Sequence, residues 1–290
     1  MLLALLTLGC TLNVRDLTPK FLAFYQAASK EDASETRRWE LWQKMYSFAA
    51  VPPGPEGQAM ARKMLDAAWP QYAAALPLIR KGPKTIQPPP QQILQSVADL
   101  FEVSVPVKAT LIVFVGNFDN NAFTAPGVDG PTVAIPIEGK GAALTMTHEF
   151  THVVEAEQAN LSLDWQRSIA HTVFAEGLAM RATERLRPGR AAKEYVGEFT
   201  PDWFARAGSK KSAILADIEP HLADSSSDAV MKYTMGIGPA GIDREAYYAG
   251  WIVIGELLAH GWTFPRLGRV TDSEMPALVS QSITRLQATP

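Results

Sequence analysis

The sequence has almost no cysteine, and this scarcity removes several classes of metal and redox site. Cys10 is the single cysteine in 290 residues. One cysteine cannot form an internal disulfide, a cysteine-rich zinc site or an iron–sulfur cluster. A metal site in this chain must therefore be built from histidine, aspartate or glutamate. The histidines are His148, His152, His171, His221 and His260.

The chain also has little net charge of either sign. Lysine and arginine together number 27, aspartate and glutamate number 30, and the formal charge at pH 7 is −3. General nucleic-acid binders carry a basic excess or a basic stripe, so we expect no nucleic-acid partner. Hydrophobic residues make up 47% of the chain and charged residues 20%, which is ordinary for a globular protein and argues against disorder throughout the chain.

Long apolar runs are absent after the opening segment MLLALLTLGC. No later segment approaches the roughly 18 apolar residues of a membrane-spanning helix, so we expect no transmembrane span. The opening run is too short to span, and no Lys or Arg precedes it as in a typical secretory signal. Residues 6–10 resemble a bacterial lipobox, which would make Cys10 a lipid anchor on an exported protein. The alternative is a buried strand over residues 8–14 with a native start upstream, in a cytoplasmic protein, and the sequence leaves both interpretations open.

Helical patterns dominate the first third of the sequence. A helix is predicted to begin near Thr18 and Pro19, because a threonine followed by a proline suits a cap and first turn. Further helical segments are predicted over residues 31–49, 58–79 and 91–101. The proline- and glycine-rich segments VPPGPEG and KGPKTIQPPP separate them, and we expect the second of these to be extended.

The pattern then changes to that of a small sheet. Residues 109–115 are β-branched and apolar, as in a buried strand, and residues 116–130 read as a long loop. Residues 131–137 predict a second strand, in which Pro136 favours an edge or strand-end position. Helical patterns return from Gly139 onward.

These patterns predict an α+β fold that is mostly helical. We expect an N-terminal helical region over residues 1–104 and a second region over residues 105–290. The boundary is a change in sequence character and need not separate two independently folding domains.

The motif with the clearest chemistry is HEFTH, an H-E-x-x-H pattern formed by His148, Glu149 and His152. Residues i and i+4 lie on one face of a helix, so both imidazoles can reach one metal ion. Glu149 is displaced by about 100° around the helix, which suits a base that takes a proton from water beside the metal. A chain of this composition and length would hold roughly 0.005 such matches by chance.

A catalytic zinc site usually has three protein ligands, so a third ligand is expected downstream. Glu176, in the segment FAEGLAM, lies 24 residues after His152 and is the best candidate. That gap allows a turn near residues 161–164 and a second helix that returns beside the first. Gly177 and Ala179 are small and would let this helix approach a metal closely. The alternative for Glu176 is a carboxylate on a helix surface.

HEFTH followed by AEGLA resembles the gluzincin zinc metallopeptidases, and most closely the bacterial family of predicted Zn-dependent proteases whose substrates are mostly undefined. A later segment, AYYAGW at residues 246–251, resembles the Tyr-Tyr helix of that family, and the resemblance covers roughly residues 105–270. It implies a zincin-like fold, in which a small mixed sheet packs on the H-E-x-x-H helix and a helical part follows. The resemblance implies that the zinc ligands are His148, His152 and Glu176 and that the catalytic base is Glu149.

We therefore expect one Zn²⁺ per chain and a peptide or protein substrate. The developing oxyanion needs a further donor, for which Tyr247 and Tyr248 are candidates, with the family-like pattern favouring Tyr248. Both tyrosines also fit a packing role. Substrate is expected to add as a strand to the edge strand over residues 131–137.

The sequence leaves two other functions open. One is a zinc-binding protein with a non-catalytic, regulatory or interaction role, which the presence of Glu149 disfavours because a structural site needs no base. The other is a lipid-anchored surface interaction protein in which the motif is accidental.

The remaining polar candidates are weaker. His171 is predicted to be structural, because it lies about 140° from Glu176 around a helix. Glu155 lies three residues after His152 and could reach the rim of the cleft, but a solvated face is favoured. His221 and His260 have no partner at ligand spacing, and His260 suits a helix end.

Overall fold

The computed structural model of the chain describes residues 9–31, 33–139 and 141–288. These residues form an α+β fold that is mostly helical and contains one small mixed sheet, which confirms the coarse α+β class, while the zincin-like fold stays a prediction. The strands are β1 Thr11–Asp16, β2 Lys108–Phe114, β3 Phe123–Ala125 and β4 Thr132–Pro136.

The helices among the described residues include the four predicted in the first third. The α-helices of the described residues are α1 Thr18–Lys30, α2 Glu35–Met45, α3 Pro55–Ile79, α4 Pro90–Leu100, α5 Ala142–Ala159, α6 Ile169–Leu186, α7 Ala192–Val196, α8 Trp203–Ser209, α9 Lys211–Ile218, α10 Ser227–Val230, α11 Glu245–Ala259, α12 Phe264–Leu267 and α13 Met275–Ala288. Within the described part of the chain, none of them is both long and apolar enough to cross a membrane.

Helix α3 begins earlier than the sequence pattern predicts. Pro55 lies at its first turn, where the missing N–H of a proline has no helical partner to lose. The segment predicted to be extended after this helix instead contains a 3₁₀ turn at Gly82–Thr85. Proline in these segments therefore marks a helix start and a tight turn.

The sheet has the strand order β1-β2-β4-β3. β2 pairs in parallel with β1 on one side and with β4 on the other, and β3 pairs antiparallel with β4. In this register Val133 of β4 lies between Leu111 of β2 and Thr124 of β3. β2 is buried along most of its length, as its apolar sequence predicts.

The prediction that residues 131–137 form an edge strand is wrong. The interval 116–130, interpreted from sequence as a loop, contains β3, which covers one side of β4. A strand of three residues is too short to show an alternating pattern. The strand-end position of Pro136 is confirmed, because it is the last residue of β4.

The N-terminal strand differs from its prediction in position and burial. β1 begins at Thr11, and it is a largely exposed strand at the end of the sheet order, whereas one of the two interpretations of this segment is a buried strand over residues 8–14. Residues 1–8, which carry most of the predicted signal or lipobox, lie outside the described residues.

The chain divides into two compact units. The first is built from Thr11–Ile93 and Lys108–Glu149, and it contains the whole sheet. In this unit the hydroxyl of Tyr46 bonds to the backbone of Val115, and the hydroxyl of Tyr72 donates to the carbonyl of Gly116 at 2.8 Å. These bonds tie helices α2 and α3 to the chain that leaves β2. The division of the chain at residue 104 stays a prediction.

The second unit is built from residues 9–10, Leu94–Val107 and the described residues from Phe150 onward. Its centre is the contact between α6 and α11, where Gly177 and Gly250 lie against each other. A Cβ added to Gly177 would lie 2.2 Å from the carbonyl oxygen of Gly250. The two helix backbones therefore approach each other as closely as glycine allows.

Candidate metal centre

Helix α5 carries the H-E-x-x-H motif. Gly141, with a φ of 95°, precedes its first turn, and Asn160, with a φ of 53°, follows its last, a left-handed residue that commonly ends a helix. Phe150, Val153 and Val154 are fully buried and hold the helix in place. Phe150 and Thr151 are neutral to poor helix formers, so the packing of the buried apolar side chains stabilises this part of α5.

Helix α6 carries Glu176. The hydroxyl of Ser168, its N-cap, accepts the backbone N–H of His171 at 3.2 Å. Nearly the whole of α6 is buried, including Glu176. The helix therefore cannot turn Glu176 toward bulk solvent without losing its core contacts.

The structure brings His148, His152 and Glu176 together. One ligand atom from each lies within 4.8 Å of those of the other two. The distance from His152 Nε2 to Glu176 Oε2 is 3.7 Å. Two ligands of a tetrahedral zinc ion, each about 2.1 Å from the metal, lie about 3.4 Å apart. With two imidazoles and one carboxylate, the donor set has the chemistry to hold a zinc ion.

Glu149 follows His148 directly on α5 and is not a member of the donor group. Its carboxylate is buried, and its Oε2 accepts a hydrogen bond from the hydroxyl of Thr124 at 2.7 Å. Thr124 is the central residue of β3, so the edge strand of the sheet directly contacts the predicted base. The sequence did not indicate Thr124, because its strand lies in an apparent loop.

Arg167 is a second residue that the sequence did not indicate. Its Nη2 donates to Glu176 Oε1 at 2.9 Å, and 17% of its side chain is exposed. Arg167 immediately precedes the N-cap residue of α6, nine residues before Glu176. No helical or strand periodicity in the sequence predicts this contact. The one available signal in the sequence is a basic residue just before the start of α6, the helix that carries Glu176.

The prediction that Glu155 lies on a solvated face is wrong. Glu155 is buried, and it lines a small cavity together with His152, Arg167 and His171. Burial raises the pKa of Glu155 to about 8, and the positive charge of Arg167 opposes that rise. Its Oε1 has no hydrogen-bond partner among the described residues.

His171 lies outside the ligand triad and has the structural surroundings that its position predicts. Its Nδ1 bonds to Asp272 Oδ1, and its ring is buried. Burial lowers the pKa of His171, so the imidazole is neutral at pH 7. This pair joins α6 to the segment before α13.

The two candidate tyrosines of α11 occupy different surroundings. Tyr248 is buried against the rings of Trp203 and Phe204, and burial raises the pKa of its phenol. Tyr247 is half-buried and packs against Phe199. A donor role for either tyrosine stays a prediction.

The remaining histidines and the cysteine lie away from the triad in sequence and have local surroundings of their own. His221 ends a 3₁₀ turn, and His260 is the C-cap of α11, with Nδ1 3.0 Å from the carbonyl oxygen of Glu256. Cys10 is partly exposed before β1, and burial raises the pKa of its thiol. Its proposed lipidation stays a prediction.

The chain was compared with protein-family models, with curated proteins and with solved structures, and none of the three comparisons gives a match.

Proposed function

We propose that the protein is a zinc-dependent hydrolase that cleaves peptide (amide) bonds and has a zincin-like fold of the gluzincin type. The observation that carries this proposal is the combination of a His–His–Glu donor set with a separate glutamate on the same helix. A structural zinc site usually has four protein ligands and needs no base. Three ligands plus Glu149 match the needs of a hydrolytic site.

His148, His152 and Glu176 would hold the zinc ion. When bound there, zinc would lower the pKa of water to near neutrality and polarise the substrate carbonyl. The two imidazoles must be neutral to bind it, and the buried carboxylate supplies one negative charge.

Glu149 is the proposed general base. It accepts a proton from the attacking water as the water oxygen bonds to the carbonyl carbon of the substrate. It then delivers this proton to the amide nitrogen as the C–N bond breaks, which yields a carboxylic acid and an amine. The bond from Thr124 fixes one carboxylate oxygen of Glu149, so the other is left for the proton.

A tyrosine of α11 is the proposed donor to the oxyanion. The phenol of Tyr248 is protonated at neutral pH, as donation to the oxyanion requires, and the family-like sequence pattern favours Tyr248 over Tyr247.

The proposed substrate is a peptide or protein segment in extended conformation. β3 is the terminal strand of the sheet and is antiparallel to its neighbour β4. An extended segment can add to such a strand through backbone hydrogen bonds. Because Thr124 of β3 donates a hydrogen bond to Glu149, a segment that added to β3 would lie close to the proposed base.

The test is hydrolysis of a broad peptide library, followed by mass spectrometry, with the wild type and two glutamate variants. Glu149→Gln should keep its zinc and lose about 10²- to 10⁴-fold in rate. Glu157→Gln, on the same helix and partly exposed, should retain wild-type activity and is the matched control. Equal rates for wild type and Glu149→Gln would overturn the proposal.

A further inference from the structure

The carboxylate of Glu176 has its two oxygens in different surroundings. Oε1 accepts the 2.9 Å hydrogen bond from Arg167, whereas Oε2 lies 3.7 Å from His152 Nε2. A carboxylate can bind zinc through one oxygen or through both. The guanidinium engages Oε1 directly, so Oε2, on the side of the His152 imidazole, is the oxygen better placed to bind a metal.

The position of Arg167 is determined by the start of α6. The residue after it, Ser168, caps the helix, and the next two backbone N–H groups donate to the carbonyls of Asp224 and Leu222. The side chain of Arg167 therefore extends from a stretch of backbone whose next residues are held by hydrogen bonds. Its side chain is mostly buried, so few other rotamers are open to it.

The charge of Arg167 is also needed where it lies. Two buried carboxyl groups, those of Glu176 and Glu155, depend on it: it bonds to the first and opposes the rise in pKa of the second. A buried ion pair that loses one partner leaves an uncompensated charge. Arginine suits this place because its planar guanidinium can direct separate N–H groups at fixed angles.

We propose that Arg167 is a positioning residue that holds Glu176 as a ligand through Oε2 alone. One-oxygen ligation limits the protein to three ligand atoms and leaves the fourth position of a tetrahedral zinc ion for water. Partners of this kind orient the ligands of many metal sites and influence metal affinity. The inference rests on the proposed function only in assigning Glu176 to zinc.

The experiment compares Arg167→Met, Arg167→Lys and the matched control Arg185→Met, an exposed arginine near the C-terminal end of α6. Zinc affinity is measured by competition with a chelator, and the visible spectrum of the Co²⁺-substituted protein reports the coordination number. Arg167→Met should bind zinc about 10- to 100-fold more weakly, with a weaker cobalt absorption because four-coordinate cobalt absorbs most strongly. Arg167→Lys should lie closer to the wild type, and Arg185→Met should match it.

If Arg167→Met does not fold, the double variant Glu155→Gln/Arg167→Met removes one buried acid with the cation, and Glu155→Gln alone is its reference. Wild-type affinity and an unchanged cobalt spectrum in the Arg167→Met or double variant would overturn the inference and leave the proposed function intact. A wild type that binds zinc but cleaves no peptide would overturn the proposed function alone. A wild type that binds no zinc would overturn both.

Discussion

Replacement of Gly177 by alanine should disrupt the contact between α6 and α11 next to Glu176, the proposed metal ligand. The new Cβ would lie 2.2 Å from the carbonyl oxygen of Gly250 and 2.7 Å from Cγ1 of Ile254. To restore an ordinary contact, the two backbones must separate by about 1 Å. Overpacking of this kind costs up to about 3 kcal/mol, whereas alanine gains about 1 kcal/mol over glycine in a helix. We therefore expect a net loss of about 2 kcal/mol in the free energy of unfolding.

The same shift should weaken zinc binding, because Glu176 precedes Gly177 directly. Urea unfolding of the metal-free chain measures the first effect, and chelator competition measures the second. Gly139→Ala is the matched control, since a Cβ there meets no atom within 4 Å, and it should change stability by less than about 0.5 kcal/mol. If Gly177→Ala were as stable as the wild type and bound zinc equally well, the close helix contact would not exist as described.

Three further changes test other parts of the account. Thr124→Val should lower kcat by about 10-fold or more with little change in KM, because Glu149 loses a charge-assisted hydrogen bond. Thr124→Ser keeps the hydroxyl and should retain most of the wild-type kcat. An unchanged kcat in Thr124→Val would exclude a positioning role for Thr124. Tyr248→Phe should lower kcat by about 100-fold while Tyr247→Phe changes it little, and the reverse result would exchange their roles. Burial raises the pKa of Glu245, so the wild type should lose unfolding free energy relative to Glu245→Gln as pH rises above the ordinary value of 4.5. Urea unfolding of both metal-free chains across this range checks the sign, and parallel curves would contradict it.

The parts of the site that the sequence could predict are those set by local helical geometry. His148 and His152 share one helix face at any i, i+4 spacing, and the structure places them in one donor group with Glu176. Glu176 reaches the histidines only if a second helix returns beside the first. The short turn after α5 and the apolar sequence of the following helix both favour that arrangement.

The missed residues depend on pairings that a local pattern cannot contain. Thr124 reaches Glu149 because a three-residue strand pairs with β4, and so short a strand has no readable period. Glu155 is buried because α6 and the preceding segment cover that face of α5. The contact of Arg167 could not be predicted for a similar reason, because Arg167 and Glu176 are nine residues apart and meet only through the fold of the chain.

The zinc content of the chain purified without chelator tests the central claim most directly. Elemental analysis should find about one zinc per chain in the wild type and in Glu149→Gln, and almost none in His148→Ala or His152→Ala. His260→Ala, at the exposed end of α11, is the matched control and should keep its zinc. A wild type without zinc, or His148→Ala and His152→Ala variants that retain it, would contradict the account.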